Sequence, residues 1–366
     1  METIDIKTGS KQYPVHIGGG ASTLLQDVLH KQVSECSGIL IITDSNVAPL
    51  YLREIKSMLT DLPVFEWVIP AGESSKSLRE YEKIISYALN RKLDRKSVIV
   101  ALGGGVVGDI AGFVAATYLR GVAFIQMPTT LLAHDSSVGG KVGVNHTAGK
   151  NLIGAFYQPE AVIYDLHYLK SLSRKEWRSG FAEIIKSSLI RDHELYRFLN
   201  EKVLDFPIED DEALVHAVFA AISIKAGIVQ EDEYESGVRA YLNFGHTLGH
   251  AIEAESRYQH IPHGEAVMIG MLFSIRLSER IYGKSLMPVD LLQWIKNMGY
   301  SIWHPSLARP ELLIERMKQD KKNAGQEIRM VLYAGFEQVR TSGVPEDLLL
   351  EELKHFDKWS KKCESS

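Results

Sequence analysis

The first half of this chain contains the segment Ser97-Val-Ile-Val-Ala-Leu-Gly-Gly-Gly-Val-Val-Gly-Asp109, from which its fold class is inferred. A short β-branched run leads into Gly103, Gly105 and Gly108, which have the G-x-G-x-x-G spacing, and a helical pattern follows over 107–118. In this strand–turn–helix order the motif binds dinucleotides, because glycine lets the backbone approach a pyrophosphate at a helix N-terminus. The stretch therefore predicts a nucleotide site at the end of a buried strand.

A glycine turn that serves only tight strand–helix packing is the alternative. A Rossmann unit usually carries a ribose-binding acid ~20 residues beyond the glycines, and here that region reads Met127-Pro-Thr-Thr130. The candidate acid, Asp44, instead lies upstream at the end of an earlier strand.

The surrounding sequence alternates short apolar runs with helical patterns. Strands are predicted over 38–43, 64–69, 97–102 and 122–127, with a helix over 78–90 between the second and the third. Such alternation is typical of an α/β domain around a parallel sheet. We expect this dinucleotide-binding domain to span residues 1–172.

In the second half of the sequence, helical patterns replace the alternation of strands and helices. Ser173 and Glu176 have the spacing of a capping box, and helical periodicity recurs over 214–229, 246–255 and 264–281. We expect residues 173–366 to form a mostly α-helical domain that binds metal and substrate. The last eight residues predict a frayed tail.

Composition excludes several classes of protein. The 366 residues suffice for about two domains of the usual ~100–200 residues. A net charge of −5 gives no reason to expect nucleic acid or an anionic membrane as partner. No signal-peptide core and no uninterrupted apolar run of ~18 residues is present. Cys36 and Cys363 have no metal or redox spacing. We expect a soluble cytoplasmic protein.

Histidines are concentrated between residues 239 and 265. Imidazoles and carboxylates at this density are typical of a zinc or iron site. His246 and His250 share a helix face with Glu253, which makes those three one ligand set. A second set takes one of that histidine pair, His263 and a distant carboxylate, for which Glu183 is the best candidate. Hydrogen-bonded structural histidines are the third interpretation. His260 lies in the same stretch.

Several cations suit an anionic substrate. Lys225 shares a helix face with apolar residues, and lysine is rarely buried without a partner; a lysine that extends to the surface is the alternative. Gly-Gly-Lys141 and Gly149-Lys-Asn151 have the residue types that bind phosphate. Further cations that could join them are Lys186, Arg239, Lys321 and Lys322.

At this point the motifs resemble those of the 3-dehydroquinate synthase family. They occur in the family's order and span nearly the whole chain. The motifs are Pro70-Ala-Gly-Glu-Ser-Ser-Lys76, Gly103-Gly-Gly-Val-Val-Gly-Asp109, Asp135-Ser-Ser-Val-Gly-Gly-Lys141, Gly149-Lys-Asn-Leu-Ile-Gly-Ala-Phe-Tyr-Gln-Pro159, Arg239-Ala-Tyr-Leu-Asn-Phe-Gly-His246 and Asp320-Lys-Lys322.

The resemblance implies roles for individual positions. The metal ligands would be Glu183, His246 and His263, with His250 a catalytic residue and not a ligand. The other substrate and catalytic positions would be Lys141, Asn151, Lys186, Lys225, Arg239, Asn243, Lys321 and Arg120, the last reaching a neighbouring subunit. The NAD positions would be Asp44, Glu73, Lys76, Gly104, Gly105, Val106, Gly108, Asp109, Thr129, Thr130, Lys141, Lys150, Tyr168, Leu169, Lys170 and Ser171.

The resemblance also implies a reaction. The enzyme would be a carbon–oxygen lyase of the shikimate route to aromatic amino acids, and usually a homodimer. It would convert 3-deoxy-D-arabino-heptulosonate 7-phosphate to 3-dehydroquinate and phosphate with NAD+ and Zn2+, or Co2+ in its place. The rivals are another sugar-phosphate cyclase, of the 2-deoxy-scyllo-inosose or valiolone type, and a metal-dependent polyol dehydrogenase. A departure from the family pattern at 145–149, Asn-His-Thr-Ala-Gly, affects a loop only.

Overall fold

The computed structural model describes residues 1–33, 35–256, 261–319 and 327–365. The chain divides into two compact units. The first comprises Met1–Leu172 and Lys225–Tyr234, and the second comprises Ser173–Ile224 and Glu235–Ser366. The sequence placed Lys225–Tyr234 in the second domain, whereas these residues pack with the first. Hydrogen bonds attach this segment to the first unit: Glu233 accepts from the backbone NH and the hydroxyl of Ser10 and from the side-chain amide of Gln158.

The first unit is built on β-strands. The strands are β1 Glu2–Lys7, β2 Gln12–Gly18, β3 Ile39–Asp44, β4 Val64–Ile69, β5 Val98–Gly103, β6 Ala123–Pro128, β7 Lys141–His146, β8 Gly149–Phe156 and β9 Ala161–Asp165. Seven of them form one sheet in the order β1-β2-β9-β6-β5-β3-β4. The pairing is parallel from β2 to β4, and only β1 and β2 are antiparallel. Strands β7 and β8 form a separate antiparallel hairpin.

Both faces of the large sheet are buried. Successive side chains of a strand point to opposite faces. Ile39 and Ile41 of β3 accordingly pack in one apolar cluster, while Leu40 and Ile42 pack in another. The continuous apolar runs of the sequence are the consequence, because a parallel sheet is covered on both sides. The predicted α/β fold class is confirmed.

Helices supply the cover. They are α1 Leu25–Gln32, α2 Arg53–Ser57, α3 Leu78–Asn90, α4 Gly105–Thr117 and α5 Ala133–Ser136. Short 3-10 helices occupy Ala21–Leu24, Glu73–Ser75, Tyr118–Arg120 and Leu166–Ser171, and a π-helical turn occupies Ala48–Leu52. Side chains of α1 and α2 belong to the first apolar cluster and those of α3 and α4 to the second.

The second unit is mostly helical, as predicted. Its helices are α6 Arg174–Arg191, α7 His193–Lys202, α9 His246–Glu255, α10 His263–Tyr282, α11 Leu291–Asn297, α12 Pro310–Lys318 and α13 Glu346–Ser365. Helix α8 Asp211–Glu231 belongs to this unit up to Ile224 and to the first unit from Lys225. Strands β10 Ile328–Gly335 and β11 Gln338–Val344 form an antiparallel hairpin. Short 3-10 helices occupy Val238–Asn243 and Pro305–Ala308. The capping box is present, since Ser173 and Glu176 bond reciprocally.

One feature of this unit differs from the sequence expectation, and a second concerns a long apolar helix. The predicted frayed tail is wrong: α13 continues to Ser365, because Ser360 is buried and the Glu364 carboxylate accepts hydrogen bonds from the Ser301 hydroxyl and the backbone NH of Ile302. Helix α8 is long and apolar enough to cross a membrane, with mean hydropathy 1.7. Core helices pass the same test, and 56% of that apolar stretch is buried inside the protein.

Candidate nucleotide and metal sites

The carboxyl ends of the parallel strands bring together the first group of predicted residues. Asp44 ends β3, Gly103 ends β5, and Thr129 directly follows β6. In the sheet, β4 lies on the outer side of β3, whereas β6 lies on the opposite side of β5. The direction in which successive strands are added therefore reverses between β3 and β5. Open α/β sheets bind nucleotides at such a reversal point.

The glycine turn at this edge has room for backbone only. A side chain at Gly104 would come within 2.9 Å of Thr130, and one at Gly105 within 3.2 Å of Ser136. The backbone NH of Thr129 donates to the carbonyl of Gly103 over 3.0 Å. A Cβ at Gly103 would meet Val107 at 2.6 Å, so this glycine also permits the strand–helix packing that the sequence left open as an alternative.

Asp44 is partly engaged by its own chain. Its Oδ1 accepts the backbone NH groups of Asn46 and Val47, at 2.8 and 3.0 Å. The carboxylate therefore fixes the turn after β3 and holds its own orientation at the sheet edge.

A polar network links four further predicted positions, Glu73, Lys76, Asp109 and Asn151. The buried Lys76 donates to the carboxylate of Asp109 and to the side-chain oxygen of Asn151. Burial raises the pKa of Asp109, and the Lys76 ammonium opposes that rise. Asn145 completes the network: its amide donates to Glu73 over 2.7 Å, and its oxygen accepts the backbone NH of Asn151 over 2.9 Å.

The remaining predicted residues of the first unit occupy varied environments. Lys141, Lys150 and Asn151 lie on the β7–β8 hairpin. The side chains of Tyr168 and Leu169 are buried in the core, so only their backbone could reach a cofactor, whereas Lys170 and Ser171 are exposed. Arg120 is exposed, with a φ of 70°. The other predicted nucleotide residues, Val106 and Gly108, lie in the first turn of α4.

Lys225 has a definite partner in the first unit. Its Nζ lies 2.8 Å from a carboxylate oxygen of Asp135 and also contacts the Asp135 carbonyl. The ammonium is nearly buried, in agreement with the inward orientation that its helix face predicted.

The second unit brings Glu183, His246 and His263 together. Nε2 of His246 lies 3.5 Å from Oε1 of Glu183, and Nε2 of His263 lies 3.4 Å from the same oxygen. Glu183 is 1% exposed, and its Oε1 has no hydrogen-bond partner among the described residues. Tetrahedral zinc bonds of ~2.0–2.1 Å separate neighbouring ligand atoms by about 3.4 Å. The three side chains thus fit a metal ion.

The other ring nitrogens settle the tautomers. Nδ1 of His246 lies 3.2 Å from the carbonyl oxygen of Phe244, and Nδ1 of His263 lies 3.0 Å from a carboxylate oxygen of Glu253. Both partners can only accept, so each Nδ1 carries the proton. When both rings are neutral, as metal ligands must be, each Nε2 directs a lone pair toward the Glu183 oxygen. Nε2 of His246, Nε2 of His263 and Oε1 of Glu183 then carry lone pairs that face one another, and a cation between them would stabilise this arrangement.

The pKa values agree with this need. Burial alone would lower the pKa of His263, but the Glu253 and Glu183 carboxylates raise it to about 10. Burial lowers the pKa of His246 well below its ordinary value. Although burial opposes it, Lys186 and the two histidines hold the pKa of Glu183 well below the ordinary range. The Glu183 and Glu253 carboxylates therefore stabilise a positive charge beside them, which a metal ion can supply in place of a proton on His263.

Close helix packing produces this convergence. A Cβ at Gly264 would lie 1.9 Å from the carbonyl oxygen of Ser179, so α10 contacts α6 backbone to backbone directly beside His263. Glu183 follows Ser179 by about one helical turn. A Cβ at Gly270 would likewise lie 1.9 Å from the carbonyl oxygen of Gly245, the residue before His246.

Other predicted residues surround this centre. His250 lies near it: the ring nitrogens of His246, His250 and His263 that could hold a metal ion are within 4.8 Å of one another. Lys186 is buried and donates to Glu183. In the 3-10 helix Val238–Asn243, Arg239 is 2% exposed and Asn243 donates to Glu235 over 2.9 Å. Lys321, Lys322 and His260 lie outside the described residues.

Sequence reasoning assigned no role to one polar position and a ligand's role to another. Asn145 was noted only as part of a loop that departs from the family pattern, whereas it lies in β7 and hydrogen-bonds to Glu73 and Asn151. The available signal was an asparagine within a strand, where this residue type is depleted. Glu253 was weighed as a metal ligand. The structure instead places its Oε2 against Nδ1 of His263, on the ring nitrogen that does not face Glu183.

Both halves of the sequence match one enzyme family. The sequence-family model for the N-terminal domain of 3-dehydroquinate synthase matches residues 66–179. The family model for its C-terminal domain matches residues 180–323. The 3-dehydroquinate synthase of Geobacillus thermodenitrificans (strain NG80-2) is 49% identical over 96% of this chain and 97% of its own. The chain belongs to the 3-dehydroquinate synthase family. The family and the enzyme class predicted from the sequence are confirmed.

Two further relatives support this assignment. The 3-dehydroquinate synthase of Bacillus cereus (strain AH187) is 48% identical, over 98% of both chains. A solved 2-deoxy-scyllo-inosose synthase, complexed with carbaglucose-6-phosphate, NAD+ and Co2+, is 26% identical with a TM-score of 0.86. It covers 97% of this chain and 99% of its own. NAD and a divalent metal, the two cofactors predicted for this chain, are both bound in that complex.

Proposed function

We propose that this chain converts 3-deoxy-D-arabino-heptulosonate 7-phosphate to 3-dehydroquinate and phosphate, with no net oxidation or reduction. The observation that carries the proposal is full-length identity of 48–49% to synthases that are named for this product. The inosose synthase is only 26% identical, so the sister cyclase is the weaker candidate.

The metal centre would be held by Glu183, His246 and His263. Three protein ligands leave a position for a substrate oxygen, as catalytic zinc sites do. When bound, the metal ion would acidify the hydroxyl to be oxidised, and NAD+ would accept and return the hydride. Lys186 would keep the Glu183 carboxylate charged and oriented, since the two are paired and buried.

The substrate's phosphate and carboxylate need cations. Lys141 and Lys150 lie on one hairpin, and the buried guanidinium of Arg239 can pair with a carboxylate in bidentate fashion. Lys225 is held against Asp135, which orients its ammonium. We assign anion binding to these residues together with Lys186, Asn151, Asn243, His250 and Lys321.

The nucleotide would lie along the carboxyl edge of the sheet. The Gly104–Gly105 backbone at the start of α4 provides NH groups for the pyrophosphate. Asp44 and the network of Glu73, Lys76 and Asp109 would orient the remainder. Thr129 has a buried hydroxyl with no hydrogen-bond partner among the described residues, a donor suited to a bound cofactor.

The assembly and location form part of the same proposal. We assign a cytoplasmic homodimer in which the exposed Arg120 contacts the neighbouring subunit, with no nucleic acid or membrane partner. Light scattering at several concentrations tests the dimer. Arg120→Ala should lower turnover if the side chain completes a neighbour's site.

Phosphate release from 3-deoxy-D-arabino-heptulosonate 7-phosphate, with catalytic NAD+ and Zn2+, is the decisive assay. Absorbance at 340 nm is followed in the same cuvette. We expect stoichiometric phosphate, no lasting NADH, and loss of turnover on chelation. Lasting NADH would identify a polyol dehydrogenase instead.

Substrate controls separate the sister enzymes. Glucose 6-phosphate and sedoheptulose 7-phosphate carry a phosphate but no carboxylate. Turnover of either, without turnover of the heptulosonate, would contradict the proposal and assign an inosose- or valiolone-type cyclase.

A further inference from the structure

We propose that Glu253 is a positioning residue of the metal site, which holds His263 in the ring orientation and tautomer that present Nε2 to the ion. The inference rests on the metal centre proposed above. It assigns Glu253 an outer role and excludes it from the ligand set.

Geometry separates the two roles. Oε2 of Glu253 lies 3.0 Å from Nδ1 of His263, while Nε2 of the same ring lies 3.4 Å from Oε1 of Glu183. The two nitrogens are on different edges of the imidazole. A carboxylate bonded to one edge therefore orients the ring for a cation at the other.

The two histidines are held differently. Nδ1 of His246 donates to a neutral carbonyl, that of Phe244, whereas Nδ1 of His263 has a charged partner. A carboxylate on the outer nitrogen makes the inner nitrogen a more basic ligand. Carboxylate–histidine–metal triads of this kind are common in zinc proteins.

Burial strengthens the assignment. Glu253 is 4% exposed on α9, and His263 begins α10. A buried carboxylate is costly unless it is paired and hydrogen-bonded. The hydrogen bond between Glu253 and His263 joins α9 to α10 beside the metal centre. It also offsets part of the free-energy cost of burying the Glu253 carboxylate.

The test is metal affinity, measured by competition with a chelator for Zn2+ and Co2+, without substrate or NAD. Glu253→Ala should weaken binding roughly 10- to 100-fold, the usual effect of removing an outer partner. Glu253→Gln keeps an acceptor oxygen and should lose less. Glu352→Gln is the matched control: Glu352 is 3% exposed, lies in the same unit and pairs with Arg280. It should bind metal as the wild type does.

The Co2+ absorption spectrum distinguishes the roles. Glu253→Gln should keep the wild-type band positions if the ligand set is unchanged. A changed coordination spectrum would make Glu253 a ligand and overturn the proposal, as would unchanged affinity in Glu253→Ala. Should the alanine variant fail to fold, the glutamine variant alone decides by affinity and spectrum.

Failure of the proposed function gives a different result. A wild-type protein that binds neither ion would remove the metal centre itself, and this inference with it. A wild-type protein that binds metal tightly but lacks synthase turnover would leave the role of Glu253 intact.

Discussion

Nδ2 of Asn145 donates to Oε1 of Glu73 over 2.7 Å, and so ties the β7–β8 hairpin to the 3-10 turn Glu73–Ser75. The same side chain accepts the backbone NH of Asn151, whose φ of 54° is in the left-handed region. One amide thus orients a predicted nucleotide residue and a predicted substrate residue.

Asn145→Ala should weaken NAD+ binding about tenfold, since it leaves a donor and an acceptor without partners, at roughly 1–3 kcal/mol. Calorimetric titration with NAD+ measures the loss. Asn145→Asp keeps the acceptor for Asn151 but sets a second carboxylate against Glu73, and should bind at least as poorly. Asn200→Ala, which removes a half-buried amide donor to Asp290 in the other unit, is the control. Equal affinity in all three variants would refute a role for Asn145.

Glu183→Gln should weaken metal binding by more than the ~10–100-fold loss that is typical when a residue behind a metal ligand is replaced. Glutamine has nearly the same shape but no charge for the ion. His250→Ala should retain the metal and lose turnover, because the assigned ligands are Glu183, His246 and His263. Metal content after dialysis, measured by atomic emission, is the readout. Loss of metal from His250→Ala with retention in Glu183→Gln would reverse the assignment.

Gly264→Ala should destabilise the second unit and weaken its metal site together. The added Cβ would lie 1.9 Å from the Ser179 carbonyl, so the backbones must separate, and overpacking of this kind costs about 1–3 kcal/mol or more. Gly227→Ala in α8 is a sharp control, because a Cβ there meets nothing within 4 Å. Removing a glycine from an exposed helix position should stabilise by ~0.5–1 kcal/mol. Thermal unfolding and metal titration of both variants test the contrast.

Glu233 should make the stability of the protein depend on acid pH. Although burial opposes it, hydrogen bonds from Ser10, Gln158 and Thr8 lower its pKa. A lowered folded-state pKa means that the contribution is complete above the unfolded value, ~4.3. It is lost as the pH falls through the lowered value.

Glu233→Gln should therefore cost about 1–3 kcal/mol at pH 7, and the difference from wild type should shrink as the pH falls below ~4. Urea unfolding at several pH values gives the curve. The exposed Glu35 serves as the comparison: its bond to Lys96 also lowers its pKa, but solvent screens this pair, so Glu35→Gln should change the stability and its pH dependence less than Glu233→Gln does. A constant difference between Glu233→Gln and wild type at every pH would contradict the linkage.

Much of the fold followed from local pattern. The continuous apolar strands, the glycine turn and the capping box at Ser173 are short-range signals, and the helices 78–90 and 246–255 were predicted with the bounds that the structure has. Strands β1, β2, β7, β8, β9, β10 and β11 were not predicted. All of these except β9 pair as antiparallel hairpins, and strand formation depends on pairing partners more than on intrinsic preference.

Sequence patterns alone indicated the family, the α/β and helical halves, and the residue types that could bind a nucleotide, a metal and an anionic sugar. Spacing left two ligand sets open: His246, His250 and Glu253 on one helix face, or one of the two histidines with His263 and a distant carboxylate. Only the tertiary structure decided which atoms meet. Backbone contact at Gly264 and Gly270 sets Glu183 against His246 and His263, and it sets Glu253 behind His263. Long-range packing fixes those distances, and no sequence period encodes them.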